Sequence, residues 1–266
     1  MPSTLKVAAV QMPVSGDLME NCNTVLHAIE GCAELGVGLG VFPETALTGY
    51  APALGHVRQV DDGERIAETL AVLADAAGKH GVGIVIGADA LDQGAWVNRL
   101  YAYGRAGELL ATYDKVHLTG DDRHYYRMGQ DTRVFDFEGI TCGLQICYDA
   151  RFPEGYRTLL DQGAQVILQG FYGVGSGVWK VPVLDAHLRS RAAENGCFVV
   201  AANVAGPQQI VASQIIDPLG LLLASAEHDR IDLITADLDL ARIEDSEIRA
   251  DWETHFRPMA EQGGRG

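Results

Sequence analysis

Cys147 ends the apolar, strand-like run Thr141 to Cys147 (TCGLQIC) and is followed at once by Tyr148-Asp149-Ala150-Arg151-Phe152-Pro153-Glu154, which reads as a turn into a helix. A thiol there stands at the mouth of a sheet, where a helix N-terminus favours its thiolate form. Pro153 suits a first helical turn, and Phe152 before it is pushed away from helical angles, so the chain must bend sharply just after Cys147. Two further strand-like runs also end in ionisable groups. Glu44 follows Val41-Phe42-Pro43 at the end of the apolar GVGLGVFPE, and Lys115 stands between Ala111-Thr112-Tyr113-Asp114 and Val116-His117-Leu118. Singly, each has a plain explanation: a small buried thiol, a loop carboxylate, a lysine reaching out from a strand end. Together they supply nucleophile, base and cation, the parts of an acyl transfer. A cysteine with its usual pKa of about 8.5 is mostly protonated at neutral pH, so a carboxylate must take its proton, and a fixed ammonium then stabilises the oxyanion.

The elements that must position these groups are legible as periodicity. Strand-like runs cover Lys6 to Gln11, Val37 to Phe42, Gly83 to Ala88, Val97 to Tyr103, Leu109 to Tyr113, Val134 to Phe137, Thr141 to Ile146 and Val166 to Gln169. Four more follow at Phe198 to Ala202, Val211 to Ile216, Leu221 to Ser225 and Leu233 to Asp237. Helical spacing appears in Met19 to Glu34, with Val25, Ala28, Ile29 and Ala33 on one face, and again in Glu64 to Lys79, Pro153 to Gln162 and Val183 to Asn195. Runs such as AQVILQ and CFVVAAN read as strands buried on both faces, which requires helices outside the sheets. The expected fold class is α/β, with two sheets packed face to face and helices on each outer side. Periodicity leaves strand order open.

The 266 residues fit one large domain, 1–266, with no low-complexity linker. With 20 Lys+Arg against 36 Asp+Glu, the formal net charge of −16 makes nucleic acid and membrane surfaces unfavourable partners. The N-terminal MPSTLKVAAVQMP lacks the layout of a signal peptide, and no apolar stretch is long enough to span a bilayer. Five scattered cysteines suit a compartment where thiols stay reduced, so a cytoplasmic location is expected. GVGLG, GVGIVIG and GVGSG lack the spacing of a dinucleotide loop. Cys142 and Cys147 with His117 and His124 lack that of a zinc site, so neither nucleotide nor metal is expected.

The segments FPETALTGY (Phe42 to Tyr50), YDKVHL (Tyr113 to Leu118) and LQICYDARFPE (Leu144 to Glu154) resemble, in order and spacing, the three signature blocks of the nitrilase superfamily of carbon–nitrogen hydrolases. HLRSRAAENGCFVVAAN (His187 to Asn203) and SQIIDPLG (Ser213 to Gly220) are similar to further family blocks, so the resemblance covers nearly the whole chain. It implies a four-layer αββα sandwich, assembly as a homodimer or higher homo-oligomer, and no cofactor. It also implies Glu44 as general base, Lys115 as the lysine and Cys147 as nucleophile. Many members carry a second glutamate downstream of the lysine block; DDRHYYRMG (Asp121 to Gly129) places the shorter Asp122 there, in a supporting role.

The expected chemistry is hydrolysis of a small aliphatic or amino-acid-like amide through a thioester, with Lys115 and the Tyr148 backbone N–H binding the oxyanion. Tyr148-Asp149 after the nucleophile resembles amidase branches; LTGY with HLRSRAAEN is similar to the 5-aminopentanamidase type, and YDKVHL with CYDARFPE to the ω-amidase branch. Tyr50, Phe171, Tyr172 and Trp179 are expected pocket walls, the last three within the glycine-rich segment GFYGVGSGVW. Net acidity alone would suit an amine-bearing substrate, although net charge says little about one pocket. The alternatives are carbamoyl or nitrile hydrolysis by the same three residues and, outside enzymes, an inactive relative acting as a binding or scaffold module.

Overall fold

A computed structural model describes residues 4–55, 58–175 and 177–257. Residues 1–3 and Ser176, which the readings of the N-terminus and the glycine-rich segment include, lie outside the described residues. Strands β1 (Thr4–Gln11), β2 (Leu39–Val41), β3 (Gly83–Asp92), β4 (Ala95–Tyr103) and β5 (Leu109–Asp114) belong to the first sheet. The second holds β6 (Val134–Phe137), β7 (Ile140–Ile146), β8 (Val166–Phe171), β9 (Phe198–Asn203), β10 (Gln214–Ile216) and β11 (Leu222–Ser225), and β12 (Asp232–Asp239) returns to the first. The orders are β12-β1-β2-β3-β4-β5 and β11-β10-β9-β8-β7-β6. Each sheet has a parallel trio at its centre, β1-β2-β3 or β7-β8-β9, with antiparallel strands outside it.

Strand alternation builds the layers. Val7, Val41, Val85 and Leu100 of the first sheet meet Leu144, Ile146, Leu168 and Val200 of the second in one buried core. Ala8, Val10, Ile84 and Ile86 point the other way, against helices α1 (Leu18–Glu34) and α3 (Asp62–His80); a single short turn of helix, α2 (Ala51–Leu54), lies between them in sequence. On the outer face of the second sheet, Ile167 and Val199 pack on α4 (Pro153–Asp161) and α5 (Val181–Asn195). This is the four-layer αββα sandwich. Each fully buried aliphatic side chain contributes about 1.5–3 kcal/mol, which is why β8 and β9 carry no exposed residue.

The stripe on α1 differs from the sequence reading. Its buried face is Asn21, Cys22, Val25, Ile29 and Cys32, and Ala28 and Ala33 only flank it. Cys22 and Cys32 pack in this face, and Cys32 sits against Gly40 of β2. Asp17 caps this helix by accepting from the backbone N–H of Met19 and Glu20. Periodicity did not reveal α2 or α6 (Glu247–Asp251), both too short for a repeat. The run from Val37 shortens to Leu39–Val41, and that from Val211 to Gln214–Ile216; Gly38 and Phe42, flanking β2, still make backbone hydrogen bonds to β1 and β3. Among the described residues no helix is long and apolar enough to cross a membrane.

Candidate active site

The C-terminal ends of β2 and β5 in the first sheet and of β7 and β8 in the second meet at one place. Glu44 lies just past β2, Lys115 just past β5, Cys147 just past β7 and Tyr172 just past β8. The side chains of Glu44, Lys115 and Asp122 are buried, whereas that of Cys147 is only partly covered. The Lys115 ammonium donates to Glu44 Oε1 at 2.6 Å and stands 2.9 Å from Asp122 Oδ2. Asn98 Nδ2 donates to the same Glu44 oxygen at 2.7 Å, and the Tyr172 backbone N–H donates to Glu44 Oε2 at 2.8 Å. Asp122 accepts from the Tyr50 hydroxyl and, at 2.9 Å, from the Thr119 backbone N–H. It is therefore no solvated loop acid, and its shorter side chain reaches the lysine from a tight turn at Asp122–His124.

Local backbone geometry holds this arrangement. Cys147 adopts a φ of 40° at the head of a 3-10 turn, Cys147–Arg151, and Thr45 beside Glu44 has a φ of 47°. Left-handed angles at non-glycine residues, and at a β-branched threonine especially, store strain that surrounding structure must over-determine. Phe152 is extended (φ −114°, ψ 109°) ahead of Pro153, giving the sharp bend that the proline demands. Asp149 ties the elbow to the lysine segment. It accepts from the Ile146 backbone N–H at 3.0 Å, from the Tyr113 hydroxyl at 2.9 Å, and from the backbone N–H of His117 at 2.8 Å.

Two glycines make room for the Glu44 turn. A Cβ on Gly170 would stand 2.7 Å from Glu44 N, and one on Gly87 2.3 Å from Thr45 N. Backbone fills both spaces, so Gly170→Ala must shift the Glu44 turn. A displacement of about 1 Å at reacting groups costs on the order of 100-fold in rate. The variant is expected to lose roughly that in kcat, with a melting temperature lower by several degrees; unchanged kinetics would show that the turn is not held from this side.

The electrostatics assign protons. Burial pushes the Lys115 ammonium pKa down, but Glu44, Cys147 and Asp122 outweigh it and hold it well above its usual value. Burial raises Asp122, yet Lys115 and the hydrogen bonds from Tyr50, Lys115 and Thr119 leave it below the usual carboxylate range. The Cys147 thiol moves opposite to the sequence expectation. Burial first, then Glu44 and Asp122, push it well above the usual thiol range, against the opposing pull of Lys115 and the Tyr172 backbone N–H. One turn of 3-10 helix is too weak a dipole to reverse this, so the resting sulfur is a thiol and needs a base.

A cavity of about 470 Å³ opens above the sulfur, lined by Cys147, Tyr50, Tyr148, Phe171, Tyr172 and Trp179. All five aromatic residues singled out from the sequence thus meet around one space. Tyr50 and Tyr172 stack with ring centroids 4.8 Å apart, and the Lys115 ammonium lies 5.8 Å from the Tyr50 centroid. Trp179 stands at the mouth and is 67% exposed. Sequence reasoning missed Asn98, Asp149, Gly87, Gly170 and the backbone role of Tyr172. The one visible signal was a polar Asn98 in the middle of the strand run AWVNRLYAY. Among the described residues no group of three or more His, Cys, Asp or Glu side chains is set to hold a metal ion.

A sandwich of this layering, with a thiol at a strained strand end near a buried carboxylate–ammonium pair, is the architecture of the nitrilase superfamily. The carbon–nitrogen hydrolase family model matches residues 6–247, and the chain belongs to that family; it is a hydrolase acting on carbon–nitrogen bonds. Among its relatives, the 2-oxoglutaramate amidase of Bacillus subtilis is 36% identical over 219 residues, covering 79% of this chain and 80% of that protein. An (R)-stereoselective amidase of a Pseudomonas species is 31% identical over 248 residues, covering 88% of this chain and 86% of the relative. Among solved structures, a carbon–nitrogen hydrolase from Helicobacter pylori superposes with a TM-score of 0.84 at 20% identity, covering 94% of each chain. A nitrilase-superfamily amidase from Nesterenkonia does so at 0.79 and 24% identity, covering 95% of this chain and 98% of that one. At these identities the two structures speak to fold alone.

Proposed function

We propose that the protein is an amidase that hydrolyses a short amide to a carboxylic acid and ammonia, with Cys147 as nucleophile, Glu44 as general base and acid, and Lys115 as oxyanion ligand. The observation that carries this reading is the Lys115 ammonium bridging Glu44 and Asp122 beneath a cavity lined by Cys147. The named activities of the relatives, 2-oxoglutaramate amidase and (R)-stereoselective amidase, support the choice of an amide.

In the first half-reaction Glu44 takes the proton from Cys147 as sulfur bonds to the amide carbon. An ammonium has three N–H donors. Two are engaged by Glu44 and Asp122, which leaves the third for the carbonyl oxygen as it becomes an oxyanion. The Tyr148 backbone N–H, at the open start of the 3-10 turn, is the second donor. Protonated Glu44 then delivers its proton to the departing nitrogen, the C–N bond breaks, and ammonia leaves a thioester. In the second half Glu44 removes a proton from water, hydroxide adds to the thioester carbon, and the carboxylic acid departs as sulfur recovers the proton. Asp122 never exchanges a proton; it balances the lysine and fixes its direction.

The test is product analysis on matched substrates: a short aliphatic amide, a ureido acid and a nitrile of similar length. The expected result is ammonia and carboxylic acid from the amide with the highest kcat/KM. Carbon dioxide from the ureido acid, or acid from the nitrile, at a higher kcat/KM than the amide would replace the amide in this reading.

A further inference from the structure

Strand β4 turns Leu100 and Ala102 into the core between the sheets, and strand alternation puts Asn98 on that same face. The residue is 1% exposed, and an apolar side chain there would continue the pattern. Its Nδ2 donates to Glu44 Oε1 at 2.7 Å, while its Oδ1 is buried and finds no hydrogen-bond partner among the described residues. Turning the amide over would set its oxygen against a carboxylate oxygen, acceptor to acceptor, so the donor must face Glu44. A buried acceptor without a partner disfavours folding, and leucine would avoid it. Asn98 also holds the lysine segment, because its backbone carbonyl accepts from the Lys115 N–H at 2.9 Å.

The two oxygens of Glu44 are therefore not equivalent. A carboxylate oxygen accepts along two lone-pair directions. On Oε1 both are taken, by the Lys115 ammonium at 2.6 Å and by the Asn98 amide. On Oε2 the Tyr172 backbone N–H takes one at 2.8 Å, and the other is open. The same Tyr172 N–H draws the Cys147 thiol pKa down, so Oε2 and the sulfur share a neighbour. The titratable groups acting on Glu44 are Lys115, Cys147, Asp89 and the hydroxyls of Tyr50, Tyr126 and Tyr172, with Asp122 beyond the lysine. Among the described residues, Lys115 is the one of these side chains that bonds to the carboxylate. We propose that Asn98 is a positioning residue that closes Oε1, so that Oε2 alone carries the proton between sulfur and nitrogen. In acylation the S–H bond breaks, its proton goes to Oε2, and the sulfur electron pair forms the bond to the amide carbon. The Oε2–H bond then breaks as that proton reaches the departing nitrogen. Without the Asn98 donor, Oε1 offers a second place for the proton, and a proton lodged there is not delivered to nitrogen. The proposal rests on the amidase reading above and adds the atom that carries the proton.

The test measures ammonia release from a short aliphatic amide across pH, beside thermal melts. Asn98→Leu suits the core face and is expected to melt no lower than the wild type. Its kcat should fall about 100-fold at little change in KM, the scale of a misdirected reacting group. Asn98→Asp keeps the shape of the side chain: the new carboxyl donates to Oε1 as the amide does when it is protonated, and repels Glu44 when it is ionised. Its kcat should be low at neutral pH and recover at least about tenfold relative to the wild type as pH falls, a response that packing would not produce. Asn98→Leu with the wild-type kcat, or a deficit in Asn98→Asp that is the same at every pH, would overturn the proposal and leave the amidase standing. No ammonia from the wild type would instead remove the amidase reading and this proposal with it. Should Asn98→Leu fail to fold, the pH profile of Asn98→Asp decides the matter alone.

Discussion

Cys147→Ala is expected to lower ammonia release by at least roughly 10⁴-fold in kcat, the scale seen when a nucleophile that works as one unit with its base is removed. The melting temperature should move by only a few degrees, because the sulfur lies at a cavity floor and its removal opens little new void. No other thiol can replace it. Cys22, Cys32, Cys142 and Cys197 are all buried, and burial alone raises Cys32 to about 12. Ammonia assays beside thermal melts make the comparison, and a variant that keeps a tenth of wild-type turnover would remove Cys147 from the chemistry. Alkylation gives the same answer from the wild type. Iodoacetamide should label the peptide carrying Cys147 first, by access and not by a lowered pKa, so the rate should climb with pH above the ordinary thiol range.

The second large effect is on both stability and rate. Lys115→Met keeps the length of the side chain and removes the charge that Glu44 and Asp122 share, leaving two carboxylates facing one another out of water. Breaking a buried pair in this way costs about 3–5 kcal/mol, a large share of a typical domain's stability. The urea midpoint should fall accordingly, and the folded fraction should show no measurable turnover. The pH dependence has a definite sign. In the wild type Asp122 is held below its unfolded value, so its contribution is present above pH about 4 and is lost as pH falls further. Without Lys115 its pKa rises, and the variant should gain stability on mild acidification where the wild type does not. Equal urea midpoints for the two proteins would mean that the ion pair is not held out of water.

The same physics explains what could be read from the chain. Strands buried on both faces, such as Val166–Phe171 and Phe198–Asn203, announce themselves because all their residues but Gln169 and Asn203 are apolar or small, and helices of fifteen or more residues repeat their stripe often enough to be seen. Glu44, Lys115 and Cys147 stood out because each interrupts or ends such a run. Their meeting was not legible from periodicity, since it depends on strand order and on two sheets facing one another; the resemblance to family blocks supplied it. The supporting shell was hidden for a different reason. Gly170 and Gly87 matter through the backbone they admit, Tyr172 through its N–H, and Asp149 through partners lying 32 to 36 residues away. None of these roles leaves a local pattern. The direction of the Cys147 shift was misjudged because a helix terminus is visible in sequence, whereas the burial that outweighs it is a property of the folded site.

The central claim is that sulfur takes the acyl group from nitrogen before water does. Intact-protein mass spectrometry on enzyme quenched in acid during steady turnover of a short amide tests this directly. The account predicts an added mass equal to the acyl fragment, mapping to Cys147 and absent from Cys147→Ala. Steady ammonia release with no adduct on that residue under conditions where deacylation is slowed, or an adduct on another side chain, would contradict it.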